Sequence, residues 1–515
     1  MRTTRTQVTL VVLLALFAAS CVHLDRVTVD ATGAQFSFDI EFEDVSYDGR
    51  FVVLKTQGAI DPLDTNTIND IYRKDTLTGD LELMSIDSAA TEATGGFDAA
   101  ISDDGDRVVF IGDSGRVVLR TVSTGTTTVV GLDDLGNEVT TNFSPDISGD
   151  GNIVAWSTTS AVVGGTSNGF GQVYRRNLTT GVVLLASAGP GGDLGNGSSS
   201  VPTLSQDGLE MAFLSSATNL VANDVNGVTD VFARVGAAPV ARISTSSLGV
   251  AANGESYWPM MAGNGKSVVF ESSATNLDPE VTFASRSIYR KQISGELTLA
   301  SRFPDGTAID DGSNQNPSVS HDGSIVSFVS GSDELNFYIH AGGLYVRDLD
   351  NGTTTRGSAL ADGTLSWVAN TRYFGHVSGD GNYALWNNGP GNAWTVPGDD
   401  NSALDVLMRW WSEPNPVSMS PSSLPVGVST TVTISGSGFR TGVDTVVATN
   451  LANVGADGIF FSDIVVVDDS TITATIDVVF GEAVEGEFYV TVQQQGTGPG
   501  SNAGSTGSCL CISVT

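Results

Sequence analysis

The sequence predicts an all-β protein: a seven-bladed propeller followed by a second, smaller β domain. Three observations lead there. A tight-turn signature of a small residue, then Asp-Gly, recurs six times, and Asn-Gly fills a seventh place in the series. A short apolar–aromatic–basic segment recurs behind it in fixed phase. The C-terminal residues 413–515 leave the repeat, are rich in Val and Thr, and carry no helical period.

The turns are Asp48-Gly49, Asp104-Gly105, Asp150-Gly151, Asp207-Gly208, Asn264-Gly265, Asp322-Gly323 and Asp380-Gly381, spaced 56, 46, 57, 57, 58 and 58 residues apart. Self-similarity at such a period marks a repeat architecture. Gly accepts the positive φ that a two-residue hairpin needs, so each pair joins one strand to the next. The alternating run that follows, such as Ile325-Val326-Ser327-Phe328-Val329, is the second strand. The third ends on a basic residue in every copy: Lys74, Arg120, Arg176, Arg234, Lys291, Arg347 and Arg409. Gly79, Gly125, Gly181 and Gly352 stand five residues further on and turn the chain into a fourth strand; Gly295 does so one residue earlier. Four antiparallel strands repeated in a ring make propeller blades, here across residues 25–412. The repeated Asp and basic positions read as scaffold, the Asp satisfying its own turn.

The seventh unit stops at Arg409, before Trp410-Trp411-Ser412-Glu413-Pro414, and has no fourth strand. Asp25-Arg26-Val27-Thr28-Val29-Asp30 looks like the fourth strand of another copy, Ala241-Arg242-Ile243-Ser244-Thr245. The N-terminal segment is therefore expected to complete blade seven and remove an exposed sheet edge.

Pro317-Ser318-Val319-Ser320-His321-Asp322-Gly323 resembles the TolB-like propeller repeat. So do the runs Ser215-Ser216-Ala217-Thr218-Asn219-Leu220 and Ser272-Ser273-Ala274-Thr275-Asn276-Leu277, one repeat apart, and Asp224-Val225-Asn226-Gly227 leading to Asp230-Val231-Phe232. The resemblance covers about three-quarters of the chain. It is specific for fold and weak for function, since one fold hosts many functions. Residues 413–515 resemble an IPT/TIG domain, an immunoglobulin-like β-sandwich. Ser420-Pro421-Ser422-Ser423, Gly427 and Thr430-Thr431-Val432-Thr433-Ile434-Ser435-Gly436-Ser437-Gly438-Phe439 match its opening; Asp469 to Ile476 and Gly486 to Val492 match its later strands.

At the N-terminus, Arg2 and Arg5 precede an apolar run from Val8 to Ala19 and then Ser20-Cys21. Residues 1–20 read as a signal peptide. The run is too short to span a bilayer comfortably. Ala18-Ala19-Ser20-Cys21 resembles the lipobox of bacterial lipoproteins, which implies lipidation of Cys21, with residues 21–24 as anchor and short linker. The plainer reading is cleavage near Ser20 and a secreted chain with a free thiol. Cys509 and Cys511 fall on one face if the tail is a strand. A disulfide between them would be strained; pairing with another chain, or no role, is equally open.

The chain has 24 basic and 58 acidic residues and a net charge of −34. Such a surface repels phosphate backbones, so nucleic acid is excluded as a partner. Gly165-Thr166-Ser167-Asn168-Gly169 matches the hydrolase elbow G-x-S-x-G, but no helix follows, and alignment with Asn226-Gly227 makes it an inter-strand loop. No catalytic constellation or cofactor fingerprint is present. Asp224, Asn226 and Asp230, in register with Asp64, Asn66 and Asp70, offer the oxygens that Ca²⁺ prefers; the alternative is that they cap their own loops. The long loops, from strand two to three and from strand four to the next blade, share one face and should carry binding. The expected function is a non-enzymatic cell-envelope binding or scaffold protein with a protein or glycan partner, reaching the membrane only through its lipid. The alternative is a polysaccharide hydrolase or lyase using carboxylates at the channel mouth.

Overall fold

A computed structural model describes residues 24–410, apart from 31, 90, 304, 310–313, 332–342, 359–374 and 389–402, and the strand segments between 415 and 514. The expected signal peptide and Cys21 lie outside the described residues. Seven four-stranded antiparallel sheets follow one another, and no helix occurs among the described residues. Their first strands are Ile40–Val45, Gly96–Ile101, Asn142–Ile147, Ser199–Leu204, Ser256–Met261, Asn314–Val319 and Gly375–Val377. Blades one to six each run through four consecutive strands. Blade seven takes its fourth from the N-terminus: Leu24–Arg26 pairs with Asp405–Trp410 in the register Leu24↔Arg409, Asp25↔Met408 and Arg26↔Leu407, and the Val27 amide donates to the Val406 carbonyl at 2.9 Å.

The turn signature has a physical cause. In blade six Ser320 Oγ donates to Asp322 Oδ1 (2.6 Å), which also accepts the Ser324 amide (2.9 Å), while Ser320 Oγ accepts the Ile325 amide (3.0 Å). Gly323 sits at φ +80°. The same bonds form around Asp48, Asp104, Asp150, Asp207 and Asp380. Three side-chain bonds hold each of these turns, and loss of either residue removes two of them, so Ser and Asp recur together.

In blades three to six an aromatic of strand two faces an aromatic of strand three. Trp156 lies 6.3 Å from Tyr174, Phe213 6.0 Å from Phe232, Phe270 5.8 Å from Tyr289 and Phe328 5.7 Å from Tyr345. These are directly opposed cross-strand pairs, fully buried between blades. Such a pair contributes about 0.5–1.5 kcal/mol beyond its area.

In four blades the repeated basic residue joins one blade to another. Lys74 Nζ donates to Val29 O (2.7 Å), Arg234 to Leu185 O and Ala186 O (3.2 Å each), Lys291 to Ser246 O (2.8 Å) and Arg409 to Arg356 O (2.8 Å). Each cation thus satisfies carbonyls where the preceding blade's fourth strand ends.

The C-terminal segment forms two further sheets. One orders Asn415–Ser420, Thr430–Ser437, Thr471–Val478 and Ile459–Asp468; the other Ser423–Leu424, Thr506–Val514, Gly486–Gln494 and Asp444–Asn450. The short strand Ser423–Leu424 pairs in parallel with Thr506–Val514, and every other pairing is antiparallel among the described residues.

Candidate functional site

The first strands surround a central channel of about 720 Å³. That volume falls within the range of small-molecule sites, roughly 300–1,000 Å³. Its wall has three tiers.

The lowest tier is the residue before the Asp-Gly or Asn-Gly pair in each turn: Tyr47, Asp103, Gly149, Gln206, Gly263, His321 and Gly379. Backbone bonds tie all seven turns into a closed belt. The amides of Tyr47, Asp103, Gln206 and His321 donate to the carbonyls of Asp103, Gly149, Gly263 and Gly379. Those of Asp150, Asn264 and Asp380 donate to Gln206, His321 and Tyr47. All seven bonds lie between 2.7 and 3.1 Å. The glycines make room for their neighbours: a Cβ would strike Asp103 from Gly149, the His321 ring from Gly263 and the Tyr47 ring from Gly379. Tyr47 meets His321 edge-on at 5.6 Å.

The middle tier pins one blade to the next at four of the seven junctions. Asp44 Oδ2 accepts the Ile101 amide (2.9 Å), Asp146 Oδ2 the Leu204 amide (2.7 Å), Thr203 Oγ1 the Met261 amide (3.0 Å) and Ser318 Oγ the Val377 amide (3.3 Å). Burial pushes the Asp44 carboxyl up to about 7, against the two amides that stabilise its charge. Burial, with the Asp44 charge nearby, pushes Asp146 up to about 8. His376 faces Asp44 with Nδ1 3.9 Å from Oδ1. Burial holds its imidazole down to about 4, so it is neutral at pH 7 and makes no ion pair there.

The upper tier is a set of β-bulges. In blades two to six one first-strand residue has positive φ: Asp98 (50°), Ser144 (47°), Val201 (50°), Trp258 (45°) and Asn316 (50°). All five line the channel. Such a conformation costs about 1–3 kcal/mol in a non-glycine residue, and persists where the surroundings over-determine it. In four blades a proline follows: Pro145, Pro202, Pro259 and Pro317. Glu43 lines the same level; Lys55 holds it at 2.7 Å, although burial raises its carboxyl. At the rim, Arg286 pairs with Glu271 at 3.0 Å; burial still takes that carboxyl up to about 7.

None of these channel residues was singled out from the sequence as a site residue, Ser318 and His321 being read only as part of the repeat motif, although the X-Pro step at positions 144, 201, 258 and 316 repeats at the blade period and carries the signal. The residues that were singled out lie elsewhere. In blade four Arg242 reaches both Asp224 Oδ1 and Asp230 Oδ2 (3.4 Å for the second), and Asn226 Nδ2 donates to Asp230 Oδ2 (2.8 Å). In blade one Asp64 Oδ2 accepts Tyr72 OH (2.8 Å), Asp70 Oδ1 accepts Ser85 Oγ and the Gly95 amide (3.0 Å), and Asn66 Oδ1 accepts the Ile68 amide (2.9 Å). No group of three or more His, Cys, Asp and Glu residues gathers as for a metal ion among the described residues. Cys509 and Cys511 lie in the last strand, opposite Thr491 and Tyr489. Ser167 donates to the Thr159 carbonyl (2.7 Å) in an exposed loop between two strands, away from any helix.

No protein-family model matches the chain, and no curated protein matches it. Among solved structures the tricorn protease is similar at 12% identity and a TM-score of 0.38, over 61% of this chain and 30% of that one. This chain thus spans about a third of that protein. A protein of unknown function from Bacteroides thetaiotaomicron is similar at 12% identity and TM-score 0.30, over 72% of this chain and 98% of that one. A GH32 β-fructofuranosidase of Bombyx mori aligns at 12% identity and TM-score 0.22, over 71% and 90%.

Proposed function

We propose that this chain is a non-enzymatic cell-envelope protein that binds a glycan at its central channel. In this reading the propeller is of the TolB-like type, residues 413–515 form an IPT/TIG immunoglobulin-like spacer or second contact, and Cys21 carries the lipid that holds the chain at the envelope.

The observation that carries the reading is the bulge tier. The bulge recurs in five blades, with Pro after it in four of them, whereas the residue projected into the channel differs in every one: Asp98, Ser144, Val201, Trp258, Asn316. Constancy between repeats maintains the ring; divergence at one position, on a constant backbone, suits recognition. An indole face with carboxylate, hydroxyl and amide groups around it is suited to a sugar ring, which offers C–H faces and hydroxyl edges. Trp258 is 44% exposed, although it lines the channel.

A second reading, a polysaccharide hydrolase, is favoured by Asp44 and Asp146, inward carboxyls raised to about 7 and about 8. Against it, Thr203 and Ser318 do the same pinning work in sister blades, so those carboxyls have a structural duty. Titrating a panel of defined oligosaccharides against tryptophan fluorescence separates the readings. Binding without release of reducing ends, lost in Trp258→Ala and kept in Asp146→Asn, is the expected result. Reducing ends released by wild type and not by Asp146→Asn would establish the hydrolase; no binding by any member would refute both.

A further inference from the structure

Three blades place an aspartate at the start of strand three, each bonded by a hydroxyl two residues past the end of strand four: Asp70 by Ser85, Asp230 by Ser244 and Asp405 by Thr28. The register makes these positions equivalent, since Thr56↔Asp70, Ser215↔Asp230 and Asn388↔Asp405 are the same cross-strand step. Each carboxylate is almost wholly buried, at 0, 0 and 2% exposure. Two have a guanidinium from strand four: Arg242 Nε lies 3.4 Å from Asp230 Oδ2, and Arg26 Nε lies 3.2 Å from Asp405 Oδ2. Arg242 pairs across from Phe232, and Arg26 from Leu407. In blade one the equivalent residue, across from Tyr72, is Leu83.

Blade one nonetheless keeps the acids. Asp64, 5% exposed, stands where blade four has Asp224, so two buried carboxylates adjoin each other without a cationic side chain. No ion pair to either occurs among the described residues. Asp64 Oδ1 and Asp70 Oδ2 are buried and have no hydrogen-bond partner. Asn66 Nδ2 lies beside Asp70, yet does not complete the bond that Asn226 makes to Asp230. A buried carboxylate without a counter-charge is costly.

We propose that Asp64 and Asp70 bind a divalent cation of the hard, oxygen-seeking class, such as Ca²⁺, which takes the part that Arg242 plays in blade four and Arg26 in blade seven. Two carboxylates balance a double charge. The rest of a shell of about six to eight oxygens would come from water or carbonyls, which places the affinity at about 10⁻⁴–10⁻³ M. Blade four, with the same Asp-x-Asn-x-x-x-Asp spacing, takes no ion, because Arg242 fills the place.

The test is calorimetric titration of the purified chain with CaCl₂, with MgCl₂ and NaCl as controls for screening of the −34 charge. One saturable Ca²⁺ per chain is expected, lost in Asp70→Asn and kept in Asp224→Asn. Asp70→Asn retains the acceptor for Ser85 and Gly95, so its fold is checked by an unchanged circular-dichroism spectrum. Leu83→Arg should also lose the ion; where that change in a packed site prevents folding, Arg242→Leu serves instead and should raise the count to two. Saturable binding that survives Asp70→Asn, or no saturable binding by wild type, would overturn the proposal.

Discussion

At the scale of single residues, the lowest tier depends on glycine for space rather than for conformation. Gly263 carries no positive φ, yet a methyl there would land on the His321 ring. Gly263→Ala is therefore expected to cost about 1–3 kcal/mol, the usual penalty of overpacking. Adding His321→Ala should recover most of it. Urea midpoints of the two variants check this, and failure of the second change to rescue would put the cause elsewhere.

The channel carboxyls predict an unusual pH response. Asp44 and Asp146 have native pKa values near 7 and 8, above the 3.8 of an unperturbed aspartate. Between those limits the native state holds protons that the unfolded chain has released, so stability falls as pH rises. His376 acts oppositely: its native value near 4 lies below its ordinary 6.5, and stability rises with pH across that interval. From pH 6.5 to 8 only the carboxyls remain of these three. The melting temperature should decline there, and Asp146→Asn should flatten the decline. A melting temperature that rises over that interval would contradict the burial of these groups.

At the scale of elements, the closing strand is held by more than backbone pairing. Arg26 and Thr28 both bind Asp405, which is 2% exposed. Removing one partner of a buried pair costs about 3–5 kcal/mol. Arg26→Leu should lower the denaturation midpoint accordingly, and Arg26→Leu with Asp405→Asn should be less damaging than Arg26→Leu alone. Deleting residues 25–30 should cost more, since it also exposes the edge of Asp405–Trp410.

Elements are also the scale at which the sequence was most legible. The blade repeat, the hairpin turns and the N-terminal closing strand all show in it, because Ser, Asp and Gly at each turn make local bonds that spacing reveals. The bulges were not read. Their positive φ falls on Asp98, Ser144, Val201, Trp258 and Asn316, residue types with no common preference for it. The surrounding ring imposes that conformation, and its local trace in the strand is the proline that follows it in four of the five blades. Likewise Arg242 is 12 residues from Asp230, and only the strand register brings them together.

At the scale of the molecule, the belt of seven backbone bonds links blades that are otherwise joined by side chains and single strands. Opening one link requires neighbouring blades to separate. The amides of Asp103, Gln206 and His321 should therefore exchange hydrogen only on global unfolding, while those of the short outer strands Leu81–Leu83 and Val183–Leu185 exchange earlier. Measured protection factors that rank the outer strands above the belt would contradict that order.

The belt also has a parity. Going round it, large and absent side chains alternate: Asp103, Gly149, Gln206, Gly263, His321, Gly379, Tyr47. The donor alternates with them, being the large residue's own amide or, after a glycine, the amide one position on. Seven beads cannot be coloured in two shades without one like pair touching. Here the like pair is Tyr47 and Asp103, so the mismatch falls at the seam between blades one and two. Rotating the ring by one blade cannot restore the pattern, so the belt breaks the sevenfold symmetry that the repeat would otherwise impose. A ligand entering the channel meets a floor with one fixed orientation, set by counting.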